Sequence, residues 1–335
     1  MAHTRIIAEI GVNHNGSLKI ALDLVEKCAD AGADIVKFQT FSADRLVSQD
    51  APKANYQIKQ DGEGSQHEML QRLELSYDDH RVLMQHCIDN GVEFLSTGFD
   101  EVDLDMLVKI GIARIKIPSG EMTNLPYLRA VASYQLPVLM STGMATIEEI
   151  ELSIAALFDA GLRKDNLTIL HCTSSYPAPD HDLNLSAIVA MQRHFGLPVG
   201  YSDHSEGIII PICAVALGAK VIEKHLTLDR RMEGPDHKAS LIPEQFKEMV
   251  KNIRITEQCL GNGIKQASPE ELLNKEVSRK SIVATRYIEE GTIIKEADIT
   301  CKRPGTGISP MNWDKIIGKK ATINYEKDDM IHEKY

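Results

Sequence analysis

Along the first 226 residues, short apolar runs rich in β-branched side chains alternate with amphipathic stretches of helical period. The runs at 6–11, 34–40, 93–98, 114–119, 137–142, 167–173, 198–202 and 220–226 read as strands buried on both faces. Between them, the stretches 18–31, 78–89, 147–160 and 185–195 predict helices, closed by Gly32, Gly91, Gly161 and Gly196. The apolar run 207–219 predicts one buried helix, and 243–260 supplies a helix after the eighth strand. Eight strand-then-helix units place the chain in the α/β class as a (β/α)8 TIM barrel. An open doubly wound sheet is the alternative, but the glycine cluster after the first strand, Gly11-Val12-Asn13-His14-Asn15-Gly16, lacks the GxGxxG form.

Two segments break the repeat. Residues 42–76 are polar and long for a strand-to-helix connection, which predicts a lid or substrate loop, although a tolerated surface insertion fits the same residues. Residues 262–279 are polar and mixed in charge, like a linker. Beyond them, the strand-like pieces 281–284 and 292–294 and the Gly/Pro loop 303–310 predict a second compact domain over 280–335, after a barrel over 1–261.

Composition narrows the picture. The formal net charge is -11, so generic nucleic-acid binding is not expected, and an anionic substrate needs local lysines to hold it. Residues 280–335 hold ten basic and nine acidic side chains, which leaves the acidity to the barrel. No run approaches the roughly 20 apolar residues of a membrane span, and no signal peptide is visible, so a cytoplasmic location without membrane contact is expected. The six cysteines show no CxxC spacing and read as reduced thiols.

Candidate chemistry gathers at the strand ends. Residues two apart on a strand face the same way, so Glu9 accompanies Ile7, Lys37 accompanies Gln39, and Glu223 accompanies His225. Lys116 interrupts Ile115 and Ile117, with Ser119 and Glu121 just beyond; strands five to seven offer Ser141 or Thr142, His171 with Thr173, and Ser202 with His204. Buried lysines and carboxylates are tolerated only when they pair with each other or with a ligand. Lys37 and Lys116, with hydroxyls of Thr97, Ser119, Ser141 and Ser202, suit a phosphate ester that also bears a carboxylate. Glu9, Glu121 and Asp236 offer proton transfer or sugar contacts. His204 and His225 end neighbouring parallel strands, where a divalent ion fits between two imidazoles; chance placement is the bland alternative for either one alone. A Schiff-base aldolase using one of the lysines is a rival mechanism.

Seven ordered motifs carry a family resemblance. They are Ala8–Gly16, Val36–Phe41, Lys116–Glu121, Ser141–Met144, Gly200–His204, Glu223–His225 and Gly234–His237. Together they resemble the sialic acid synthase family, and Lys302–Ile308 resembles its antifreeze-like C-terminal domain, of β-clip type. The resemblance implies condensation of phosphoenolpyruvate with the open aldehyde form of an N-acetylated amino sugar. N-acetylmannosamine, giving N-acetylneuraminate, is the first expectation; a 2,4-diacetamido-2,4,6-trideoxyhexose, giving a legionaminic-type acid, is the alternative. It implies a divalent ion, Mn2+ before Mg2+ or Co2+, on His204 and His225, acting as a Lewis acid. It assigns phosphoenolpyruvate to Lys37, Lys116, Ser119, Ser141 and Ser202, with Thr97 a looser match, and the attacking water to Glu121. Glu9, Gln39, Tyr176 and Asp236 would meet the sugar or the developing intermediate. Arg303 would reach the N-acetyl group across a domain-swapped homodimer; the rival reading makes the small domain a separate ice- or carbohydrate-binding module. Ser174 and its serine neighbours stand where many relatives carry bulkier or amide side chains, leaving room for a different sugar substituent.

Overall fold

The computed structural model describes residues 3–332. The chain divides into two compact units, one ending at Asn262 and the other beginning at Gly263.

In the first unit the strands are β1 (Arg5–Gly11), β2 (Ile35–Thr40), β3 (Glu93–Gly98), β4 (Ile115–Ile117), β5 (Val138–Ser141), β6 (Leu167–Cys172), β7 (Val199–Asp203) and β8 (Val221–His225). All eight expected strands are present, and the sheet runs β3-β2-β1-β8-β7-β6-β5-β4 with β4 lying beside β3. The β1–β8 ladder, from Arg5 opposite Val221 to Glu9 opposite His225, joins the first and last units of the repeat. This is a (β/α)8 barrel.

Alternation along the strands sorts side chains into layers. Ile6, Ala8, Val36 and Phe38 face the surrounding helices and join their apolar faces in the large core. Ile7, Ile35, Leu95, Leu139, Leu170 and Val221 form a separate buried cluster that fills the barrel. One step along each strand, the same face carries Glu9, Lys37, Thr97, Ser141, Cys172 and Glu223. Each fully buried aliphatic side chain in the lower layer contributes about 1.5–3 kcal/mol and closes the floor beneath the polar layer. Gly200 is required in that floor: a Cβ there would stand 2.5 Å from Leu170 Cδ2 and 2.6 Å from the Val221 carbonyl oxygen.

Three expectations are corrected. Residues 42–76 contain three short helices, Ala43–Leu46, Asn55–Asp61 and Gln66–Gln71. They are anchored by Ala43, Met69, Leu70 and Leu73 packing against Val12 and Phe41. Lys53 and Arg72 both pair with Asp61, at 2.7 and 2.8 Å, tying the segment's two ends. The run 207–219 gives a shorter helix, Ile209–Ala216, buried on one face only, with Ile209 68% exposed. Residues 269–278, within the stretch read as a linker, form a helix, because Ser268 and Glu271 make a reciprocal capping box around Pro269.

The second unit has two antiparallel strands, β9 (Ser281–Ala284) and β10 (Ile299–Lys302). Residues 292–294, expected as a strand, contribute an isolated bridge from Ile293 to Lys320. A small core of Ile282, Ile288, Ile294, Ile299, Ile316 and Tyr325 holds the unit. Ser281 donates to the Pro304 carbonyl at 2.7 Å and accepts from Gly307 N–H at 2.8 Å, pinning the Gly/Pro loop. Among the described residues no helix is long and apolar enough to cross a membrane, and all six cysteines are free thiols.

Replacing Gly200 with Ala should cost about 1–3 kcal/mol of barrel stability by overpacking. Chemical denaturation reads this directly, and an unchanged midpoint would contradict the tight floor.

Candidate active site

A cavity of about 530 Å3 opens at the C-terminal ends of the strands. Its wall brings together Glu9, Lys37, Gln39, Thr97, Lys116, Ser119, Glu121, Ser141, Ser174, Tyr176, Ser202, His204 and His225. Asp236 sits behind this wall, with Oδ2 3.9 Å from His225 Nδ1. Arg303 lies in the second unit, exposed, just after β10.

At the base lie four buried charges. Lys37 Nζ is 2.9 Å from Glu9 Oε2 and 3.4 Å from Glu223 Oε2, while Lys116 Nζ is 3.7 Å from Glu223 Oε1. The Lys37 approach to Glu9 Oε2 is close but off the hydrogen-bonding direction, so the attraction is ionic. Lys116 donates to Ser141 Oγ at 2.6 Å, Ser202 Oγ donates to Glu223 Oε1 at 2.9 Å, and Gln39 Nε2 donates to Glu9 Oε1 at 3.3 Å. The two carboxyls are not equivalent. Burial raises the pKa of Glu9, only partly offset by Lys37, whereas Lys116 and Lys37 outweigh burial at Glu223 and lower it. Glu223 faces both ammonium groups and accepts from Ser202, so the proton that the pair shares resides on Glu9. Burial works against charge on both lysines; Glu223 and Glu9 overcome it at Lys37, and the balance at Lys116 stays lowered.

Beside this cluster, the His204 and His225 ring centroids are 5.3 Å apart, and Tyr176 packs on both at 4.1 and 5.9 Å. His204 Nδ1–H donates to the Thr173 carbonyl at 2.8 Å, which turns Nε2 into an available lone pair. His225 Nδ1 is buried without a hydrogen-bond partner, and burial followed by His204 keeps this ring neutral. Among the described residues no cluster of three or more His, Cys, Asp or Glu side chains is arranged for a metal. Burial works against charge at His204, but Cys172 outweighs it and raises the pKa of this ring; the two imidazoles are a donor set that fits a divalent ion whose other positions go to water or substrate oxygens.

Ser119 and Ser174 converge over Gly143, whose N–H donates to Ser119 Oγ at 2.9 Å. A Cβ on Gly143 would fall 2.2 Å from Ser174 Oγ, so the approach needs glycine. Glu121 ends the short turn Ser119–Glu121 and accepts from Asn124 Nδ2 at 2.7 Å.

The pairing on β5 resolves to Ser141, since Thr142 donates to the Leu170 carbonyl at 2.9 Å. On β6 the expected His171 and Thr173 do not line the cavity. His171 Nε2 bonds the Leu183 carbonyl at 2.8 Å, and the residue facing inward is Cys172, its Sγ 3.8 Å from His204 Nδ1. Cys172 and Glu223 are therefore site residues that received no role from the sequence. The signal for Cys172 was its parity with Leu170, and for Glu223 its parity with His225. The 42–76 segment adds Leu46, Val47, Ala54, Gln57, Gln66 and Leu70 to the cavity wall.

Outside the barrel, the residues preceding each histidine are locked together. Lys224 Nζ reaches Asp203 Oδ2 at 2.6 Å and the Ser205 carbonyl at 2.5 Å, and Asp203 also accepts from Ser205 N–H and Oγ at 3.0 Å. The pair is fully buried and fixes the ends of β7 and β8 relative to each other.

A (β/α)8 barrel with paired buried lysines, a ring of hydroxyls and an imidazole pair at the C-terminal ends of its strands has the layout of an enzyme active site. The family comparison is specific. The chain belongs to the NeuB family, the sialic acid synthases, whose pattern spans residues 24–265, and its second unit is an SAF, or antifreeze-like, domain over residues 279–334. It is 48% identical to an N,N'-diacetyllegionaminic acid synthase of Campylobacter jejuni, over 99% of this chain and all of that one. It is 47% identical to the protein of the same name from Legionella pneumophila, over 95% of this chain and 90% of that one. Among solved structures, it resembles the N-acetylneuraminic acid synthetase of Leptospira borgpetersenii at 33% identity and a TM-score of 0.73, covering 81% of this chain and 90% of that one. The protein is thus a transferase of sialic-acid-type biosynthesis.

Replacing Lys224 with Met leaves Asp203 buried and uncompensated, which should cost about 3–5 kcal/mol in chemical denaturation. A loss below about 1 kcal/mol would show that the pair does not hold the strand ends.

Proposed function

We propose that this synthase condenses phosphoenolpyruvate with a 2,4-diacetamido-2,4,6-trideoxyhexose in its aldehyde form, giving an N,N'-diacetyllegionaminic-type acid and phosphate. The observation that carries the choice of sugar is near-full-length identity of 48% and 47% to two synthases of that name. N-acetylmannosamine, the acceptor first expected, becomes the second reading. The cavity wall agrees with this order: Leu46, Val47, Leu70 and Phe99 offer apolar surface to a 6-methyl group, and the small Ser174 leaves space for a second acetamido group.

Lys37 and Lys116 hold the anion with Ser119, Ser141 and Ser202, and Thr97 braces Lys37 at 3.4 Å. With both carboxyls ionised, the four-charge base is neutral; with the proton on Glu9 it carries one net positive charge, which favours a polyanion. The phosphoenolpyruvate methylene carbon attacks the aldehyde carbon, and Glu9, held by Gln39, gives its proton to the new alkoxide. Water, positioned by Glu121, adds to C2, one of its protons replacing the one that Glu9 gave up; the C2–O bond to phosphate then breaks as the remaining proton passes to the departing phosphate, leaving the keto group. His204 and His225 would hold a divalent ion, Mn2+ by expectation, which when bound supplies Lewis-acid polarisation of the aldehyde. Asp236, raised to about 6 by burial, stands by as a second proton carrier on the sugar side. A cytoplasmic location fits a phosphoenolpyruvate-consuming enzyme.

Purified protein with phosphoenolpyruvate, Mn2+ and each sugar in turn tests the reading. The diacetamido sugar should give the higher kcat/KM by at least about tenfold, equivalent to about 1.4 kcal/mol. Chelation should stop turnover, and heavy oxygen from the bridging position should appear in inorganic phosphate. A preference for N-acetylmannosamine would reverse the choice of sugar, and label retained in the keto acid would refute C–O cleavage.

A further inference from the structure

The motif Asn13-His14-Asn15-Gly16 has no part in the site as described, yet its side chains reach across more than 200 residues of sequence. Gly11 leaves β1 at φ +55 and starts a tight turn, in which Asn15 sits at φ +50 and Gly16 at φ +71. The turn packs directly on the connection between β8 and the helix Pro243–Leu260. Asn13, 1% exposed, donates from Nδ2 to the Leu226 carbonyl and to Ser240 Oγ, both at 2.9 Å. Asn15 donates from Nδ2 to the Glu233 carbonyl at 2.9 Å, and its Oδ1 is 3.1 Å from His237 Nε2. His237 Nδ1 lies 2.7 Å from Thr227 Oγ1. A Cβ at Gly234 would stand 2.8 Å from His237 Cδ2 and 2.9 Å from Asn15 Oδ1, so this loop is pressed onto the turn.

The held loop presents Asp236. Within residues 226–240 the regular structure is a short 3-10 turn, His237–Ala239, so ladder hydrogen bonds do not set the position of residues 228–236. Ser240 Oγ, itself bonded by Asn13, donates to the Asp236 carbonyl at 2.7 Å. The Asp236 carboxyl approaches His225 at 3.9 Å, too far for a direct hydrogen bond, so its place is set through its backbone. Two asparagines bracket that backbone: Asn15 from Glu233 and His237, Asn13 through Ser240.

We propose that Asn13 and Asn15 are positioning residues for Asp236, holding its loop so that its carboxyl stays beside His225 at the cavity wall. This rests on the reading of Asp236 as a group of the synthase site. Neither asparagine lines the cavity, and their hydrogen bonds go to the loop rather than to His204 or His225. An amide suits the task without bringing a charge into the turn: Asn15 donates and accepts at once, and Asn13 donates twice.

The test is steady-state kinetics with phosphoenolpyruvate and the diacetamido sugar varied separately. Asn15→Gly tolerates the left-handed backbone and deletes both side-chain bonds. It should lower kcat by about tenfold or more while leaving the KM for phosphoenolpyruvate within about twofold, the pattern of a displaced catalytic group rather than a lost anion site. Asn15→Asp, which keeps the acceptor for His237 but sets a carboxylate oxygen against the Glu233 carbonyl, should recover kcat only in part. His237→Phe removes the same link from the other side and should repeat the Asn15→Gly result if that variant folds poorly. Asp236→Ala is the reference. If it loses turnover while Asn15→Gly and His237→Phe keep wild-type kcat, the positioning role is overturned and the site reading stands. If Asp236→Ala is itself fully active, both fall.

Discussion

Two ammonium groups and two carboxyls share the interior of one barrel, and that crowding governs the rest of the structure. Lys37 and Lys116 are each about 95% or more buried, a state that lysine sustains only with a partner. Glu223 lies between them and Glu9 completes the set, with Ser141, Ser202, Thr97 and Gln39 taking up hydrogen-bonding capacity. The carboxyls supply the partners that the buried lysines need. They are unequal: burial raises Glu9, whereas the two ammonium groups outweigh burial at Glu223 and lower it.

Everything around the cluster makes it tenable. The floor of Ile7, Ile35, Leu95, Leu139, Leu170 and Val221 closes the barrel below, so the charged layer meets solvent only through its mouth. The β1–β8 ladder sets Glu9 opposite His225 and puts the imidazole pair beside the charges rather than across the barrel. Behind the histidines, Asp203 and Lys224 fix the two strand ends, and the Asn13–Asn15 turn holds the Asp236 loop. The 42–76 segment supplies Leu46, Val47 and Leu70 to the cavity wall, an apolar flank beside the charged base.

The barrel was legible in the sequence because its signals are local. Each strand is a β-branched run, and parity along it predicted which of Ile7, Glu9, Lys37 and Gln39 face inward. Parity was misapplied on β6, where histidine at position 171 drew attention from Cys172 although Leu170 marks the inward face. The helices of the 42–76 segment were hidden because they are short and polar, and their stability comes from Val12 and Phe41 and from the shared Asp61 ion pairs, all non-local. The helix Pro269–Ser278 was legible in principle, since Ser268 and Glu271 form a capping box, but its exposed polar surface reads like a linker. The apolar flank of the cavity was the least legible feature, for Leu46, Val47 and Leu70 come from a segment with no strand register to place them.

The most direct measurement is calorimetric binding of phosphoenolpyruvate to the folded protein in the absence of sugar, comparing wild type with Lys116→Met and Glu9→Gln. If the buried charge cluster is the anion site, Lys116→Met should weaken binding by at least about tenfold, roughly 1.4 kcal/mol. Glu9→Gln, which mimics the protonated carboxyl, should bind at least as tightly as wild type. Unchanged affinity in Lys116→Met, with the fold intact by circular dichroism, would contradict the account.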